Sequence, residues 1–65
     1  MAKGLNAITK STMELWYKVN EKYGEHEYTL SVNGLDEVVL QKGYCGELAK
    51  GTRNVKKKLR ELLNA

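Results

Sequence analysis

Apolar positions recur along this chain with two different periods, and the change of period divides it into elements. Leu15, Trp16, Val19 and Tyr23 follow one another at helical spacing, and Gly24 stands where a helix of that phase ends, because glycine takes positive φ without a Cβ clash. Ser11-Thr12-Met13-Glu14 fits a capping box, in which the Ser11 hydroxyl accepts from the Glu14 amide and Glu14 reaches back to the Ser11 amide. These signals predict a helix from near Ser11 to Tyr23. Ile8 and Leu5 extend the same face backward, so a start near Leu5 is the alternative, and residues 1–4 read as a frayed end.

After Gly24 the period becomes two. Tyr28, Leu30 and Val32 alternate with Thr29 and Ser31, the pattern of a strand with one buried face, and Val38-Val39-Leu40 reads as a second strand ending by Gly43. Asn33-Gly34 marks a turn. A tight turn there sets Leu30 opposite Glu37 and Val32 opposite Leu35. A longer loop, Asn33 to Glu37, pairs Val32 with Val38 and Leu30 with Leu40 and so gathers apolar residues on one face. The longer loop is the expected register. A short helix from Leu35 to Gln41, capped by Gly43, competes with the second strand. Gly43-Tyr44-Cys45-Gly46 reads as a turn.

The stretch from Glu47 to Leu63 returns to helical spacing. Leu48, Thr52, Val55, Leu59 and Leu62 are separated by 4, 3, 4 and 3 residues and share one arc, with Leu63 at its edge. The helix starts near Gly46 or, more conservatively, has Thr52 as its N-cap after Gly51. Glycine inside a helix costs up to ~1 kcal/mol relative to alanine, so Gly51 invites a bend. The expected fold class is therefore α+β, a single small helix–β-hairpin–helix domain in the order α-β-β-α. Both helices cover one face of the hairpin, and Trp16, Val19 and Tyr23 meet Leu30, Leu40, Val55 and Leu59 in the core. An isolated hairpin is marginal, so either both helices support it or the hairpins of two chains join into one sheet. A homodimer is the expected assembly.

Composition narrows the function classes. The chain has 65 residues and one cysteine. A domain of this length buries only about 60% of its unfolded surface, which leaves no room for a large cofactor site, and none is expected. Cys45 alone forms no intrachain disulfide and no cysteine-type metal cluster. A small domain without such staples suits a reducing compartment, and the cytoplasm is the expected location. No apolar run is long enough to span a bilayer, and MAKGLNAITKST lacks an apolar secretory core, so no membrane association is expected.

Catalytic chemistry finds little support. His26, the only histidine, lies between Glu25 and Glu27 at a corner and lacks the further N or S ligands a metal site needs. Cys45 has no second thiol and no base beside it, and Asp36 and Glu37 belong to a loop. Neither a G-x-x-x-x-G-K-[ST] nor a G-x-G-x-x-G phosphate loop occurs. No catalytic, metal or cofactor residue is assigned, and the chain does not read as an enzyme.

The charge pattern is more informative. The formal net charge is +3, and the chain's cations cluster near its end. Arg53, Lys56, Lys57 and Arg60 form a stripe beside the apolar arc, with Lys50 beyond it and Lys58 on the other flank. Arg53 and Lys57, and Lys56 and Arg60, are like-charged pairs four residues apart. Each such pair costs about 0.2–0.5 kcal/mol in an isolated helix. Lysines and arginines on a short helix are usually its solvated face, but such faces ordinarily mix signs, so a self-repelling stripe points to an anionic partner or a long-range field. Lys58 and Arg60 also have a simpler explanation, the negative end of the helix dipole.

The candidate nucleic-acid-binding residues are Lys50, Arg53, Asn54, Lys56, Lys57 and Arg60. The cations would follow phosphates of DNA, with Lys10 or Lys42 nearby, and Asn54 could read an adenine edge. Tyr44 or Tyr28 could stack on a base. GELAKG followed by TRNVKKKLREL is similar to parts of a helix-turn-helix, but the six residues from Ala49 to Val55 are too few for that whole motif. KGTRNVKKKLREL also resembles a stretch of the bacterial histone H1-like chromatin proteins, with Gly51, Thr52, Arg53, Lys57, Leu59 and Leu62 at comparable positions. That resemblance implies sequence-independent DNA binding through a basic helix. The chain departs from that family in lacking a long lysine- and alanine-rich tail and in having a hairpin where a helical pair is expected. The alternative function is a small protein-binding regulator or inhibitor. In that reading a strand edge, Tyr28 to Val32 or Val38 to Gln41, adds to a partner's sheet, and Lys56 and Lys57 meet an acidic protein surface.

Overall fold

The structure, a computed structural model, describes residues 8–43 and 46–65; the readings at Leu5, Tyr44, Cys45 and residues 1–4 lie outside it. Five elements follow in order: α1 (Lys10–Tyr23), β1 (Tyr28–Val32), β2 (Val38–Lys42), β3 (Gly46–Lys50) and α2 (Thr52–Asn64). The α+β helix–hairpin–helix order is present, and a third strand extends the hairpin into an antiparallel sheet of order β1-β2-β3.

α1 begins earlier than the capping box suggests. Thr9 is the N-cap, with extended backbone (φ −73°, ψ 162°), and its Oγ1 accepts from Thr12 N at 3.3 Å. The cause is the wholly buried Thr12, whose hydroxyl needs a partner and finds Thr9 Oγ1 at 2.8 Å. Ser11 therefore lies inside the first turn, its hydroxyl 3.1 Å from that of Thr9. The other end is as the pattern predicts: Gly24 takes φ +115°, and its N–H donates to Asn20 O at 2.8 Å.

The β1–β2 register pairs Leu30 with Leu40 and Val32 with Val38. The turn that sets it is built on Asn33, whose Oδ1 accepts from Leu35 N at 2.9 Å and from Glu37 N at 3.0 Å. Asn33 N donates to Glu37 O and Asp36 N to Asn33 O, with Asp36 at φ +61°. The left-handed residue is thus Asp36, and Gly34 has no positive φ. This is a type I turn closed by a left-handed residue rather than a two-residue turn. Asn33 N to Glu37 O and Gly43 N to Glu27 O flank the ladder. The backbone groups of Tyr28, Leu30 and Val32 therefore point to the outer edge of β1. Trp16 Nε1 crosses from α1 to donate to the Tyr28 carbonyl at 3.0 Å.

β3 occupies the segment where one reading carries the last helix back to Gly46. Ala49 pairs with Leu40 and Lys50 with Val39, but the register shifts between Leu40 and Gln41, so Leu48 is a bulged residue. Val38–Gln41 is consequently part of the central strand and offers no free edge; the edges belong to β1 and β3. Gly51 and not Thr52 is the N-cap of α2: at φ +92° and ψ 144° it turns the chain from β3 into the helix while its N–H still donates to Val38 O at 2.7 Å, so Thr52 is already the first helical residue. Leu48 is left on the strand, 38% exposed, outside the helical arc to which its spacing assigns it.

Both helices pack on one face of the sheet. Val19 of α1, Tyr28, Val38 and Leu40 of the sheet, and Val55 and Leu59 of α2 form the buried cluster, ringed by Trp16, Tyr23, Leu30, Ala49, Leu62 and others. The ends of the helices are tied together. Tyr23 Oη donates to Leu62 O at 2.7 Å, and Lys22 Nζ donates to the carbonyls of Leu62, Leu63 and Ala65. Tyr23 also meets Tyr28 edge to face, ring centres 5.4 Å apart. Among the described residues no helix is long and apolar enough to cross a membrane.

Candidate nucleic-acid interface

α2 owes its orientation to Val55 and Leu59, both fully buried, which turn its opposite side outward. At about 100° per residue, Arg53, Lys56 and Arg60 fall on one flank, Lys57 and Glu61 on the crest, and Asn54 and Lys58 on the flank nearer β3. The surface follows this division. Thr52, Arg53, Lys56 and Arg60 line one shallow groove of about 340 Å³. Asn54, Lys57, Lys58 and Glu61 line another together with Leu48 and Ala49 of β3, about 270 Å³.

The two grooves differ in charge. Lys58 Nζ lies 3.7 Å from Glu61 Oε1, so the β3-side groove holds a mixed-sign pair. Among the described residues no carboxylate comes within 4.0 Å of Arg53, Lys56, Lys57 or Arg60. The first turn of α2 contains no acidic residue, and Gly51 supplies no side-chain cap. The positive end of the helix dipole and three side-chain cations therefore share one surface, an arrangement that favours an anion.

The candidate residues do not all converge. Arg53, Lys56 and Arg60 come together, Lys57 adjoins them on the crest, and Lys50 is an exposed residue of β3 on the strand before the turn. Asn54 is on the other flank and donates Nδ2 to Lys50 O at 3.0 Å, closing the strand-to-helix turn. Its amide thus has a local structural use. Arg60 and Lys58 do not neutralise the helix end, since the last turn of α2 carries no basic residue; Lys22 of α1 serves that end instead. Tyr28 is buried in the core, where it is not available for base stacking.

A second surface, not singled out by the sequence pattern, lies on α1. Trp16, Tyr17, Asn20, Glu21 and Glu25 line a groove of about 460 Å³. Its signal was present in the two adjacent aromatics followed by two acids four residues apart. Trp16 and Tyr23 belong to the predicted inward face, but Tyr17 is 54% exposed.

Comparison of the chain with known protein families, with curated proteins and with solved structures finds no match.

Proposed function

We propose that this protein binds nucleic acid, DNA in the first instance, through the Arg53–Lys56–Arg60 flank of α2, without catalysis. The observation that carries the reading is the groove these residues share with Thr52 at the start of α2, with no carboxylate within ion-pair distance of the three cations among the described residues. Phosphates would sit against the three cations and the amides of the first helical turn, with Lys57 and Lys50 extending the contact. Such contacts supply affinity and salt dependence, and sequence choice plays little part. The protein would act in the cytoplasm, and two copies joined along a β1 or β3 edge would present two such flanks to one duplex.

The test is a fluorescence-anisotropy titration with a labelled random-sequence duplex at low and high salt. Binding that is tight at low salt and falls steeply at high salt supports the reading. Absence of binding at low salt refutes it. The second reading, a regulator that docks on a protein partner, draws support from the outward backbone groups of Leu30 and Val32 and from the groove on α1.

A further inference from the structure

We infer that the groove on α1 is a docking site for an arginine side chain presented by a partner protein. This inference is independent of the α2 flank and concerns ligands of the opposite charge. The groove has an aromatic wall and an acidic rim: Trp16 and Tyr17 lie with ring centres 5.7 Å apart and planes inclined at 31°, and Glu21 and Glu25 stand beside them. No cation is among the described residues that line it. Lys22, the nearest lysine in sequence to Glu21, is drawn to the opposite side by its hydrogen bonds to Leu62, Leu63 and Ala65.

The aromatic wall is held in advance of any ligand. Trp16 Nε1 is fixed on the Tyr28 carbonyl at 3.0 Å, so the indole cannot swing out to cover the groove without losing that bond. Asn20 also lines the groove, and its Oδ1 is buried with no hydrogen-bond partner among the described residues. Aromatic faces and carboxylates together select a cation, and the acidic rim repels phosphates. A guanidinium suits the groove better than an ammonium, because its plane stacks on an aromatic ring while its N–H fork reaches the carboxylates. The bond from Trp16 to the Tyr28 carbonyl sets this aromatic wall at the start of β1.

Trp16 is the only tryptophan, so its fluorescence reports this groove directly. The experiment titrates the protein with a blocked hexa-arginine peptide, with hexa-lysine and hexa-glutamate peptides as controls, in the wild type, the Glu21→Gln/Glu25→Gln double variant and Tyr17→Ala. These positions are exposed, and circular dichroism verifies the fold of each variant. The expected result is a saturable change of Trp16 emission with hexa-arginine and a weaker response to hexa-lysine. The double variant should bind about tenfold more weakly and Tyr17→Ala about fivefold more weakly. A flat signal, equal affinity for hexa-lysine, or unchanged affinity in the double variant overturns the inference. So does an emission change that follows protein concentration alone, which would give the groove to a second copy of this chain.

Discussion

The hydroxyl of Tyr23, in the last turn of α1, donates a 2.7 Å hydrogen bond to the carbonyl oxygen of Leu62, in the last turn of α2. Residues 39 positions apart thus join the C-terminal ends of the two helices. Two helix ends of the same negative sign lie near each other, and Lys22 places its ammonium on the Leu62, Leu63 and Ala65 carbonyls. Tyr23→Phe keeps the ring against Tyr28 and removes only the hydrogen bond, so urea denaturation should show a loss of about 0.5–1.5 kcal/mol. Lys22→Met should cost less, since the ammonium is exposed. Because both donors serve the Leu62 carbonyl, the double variant should depart from additivity in a double-variant cycle; strict additivity would show that the two contacts do not share an acceptor in solution.

The core makes a sharper demand. Leu59 is fully buried between the helices and the sheet. Leu59→Ala should cost ~2–5 kcal/mol, a large part of the total for a domain of this size. Leu59→Asp places a carboxylate in the same apolar site and should leave the chain unfolded by far-ultraviolet circular dichroism. A cooperative thermal transition in that variant would mean that this face of α2 is exposed in solution.

Backbone conformation gives a third set of expectations. Gly51 holds φ +92° and ψ 144°, yet an added Cβ would meet no atom within 4 Å. Any cost of Gly51→Ala is therefore conformational, about 1–3 kcal/mol. Gly34 has equally open surroundings but no positive φ, so Gly34→Ala should be neutral or stabilising by up to about 1 kcal/mol. Asp36, at φ +61°, is the converse case, and Asp36→Gly should raise stability through relief of strain. Melting temperatures of the three variants decide the matter: if Gly51→Ala and Gly34→Ala fall together, the left-handed turn at Gly51 is not what the structure shows.

These glycines also mark where the sequence is legible. The β1–β2 register follows from alternation, because only one loop length puts Leu30 beside Leu40 and Val32 beside Val38. β3 is harder to see. Gly46-Glu47-Leu48-Ala49-Lys50 has no β-branched residue, its alternation is broken by the bulge at Leu48, and Leu48 falls by chance at helical spacing from Thr52. Gly46, the first residue of β3, and Gly51, which follows its last, were the local sign of a separate element. The cap at Thr9 depends on the burial of Thr12, a tertiary fact that the Ser11–Glu14 spacing does not contain. The cationic stripe is visible in the sequence, whereas its division into two flanks depends on which side of α2 faces β3.

That division leads to the prediction that discriminates most within the proposed interface. If Arg53, Lys56 and Arg60 meet phosphates and Lys57 adds a fourth contact, the logarithm of the DNA affinity should fall with the logarithm of salt at a slope of about −3 to −4. A fourfold rise in salt would then weaken binding on the order of a hundredfold. Removing any one of Arg53, Lys56 or Arg60 by alanine substitution should reduce the slope by about 1. Lys58→Ala should leave it unchanged, because Lys58 sits on the β3-side flank with Glu61 at 3.7 Å. Charge reversal should show the same order, with Lys56→Glu abolishing binding and Lys58→Glu reducing it only modestly. Equal slopes for Lys56→Ala and Lys58→Ala would mean that DNA responds to the net charge of the chain, and that the flank beside the α2 N-terminus has no particular role.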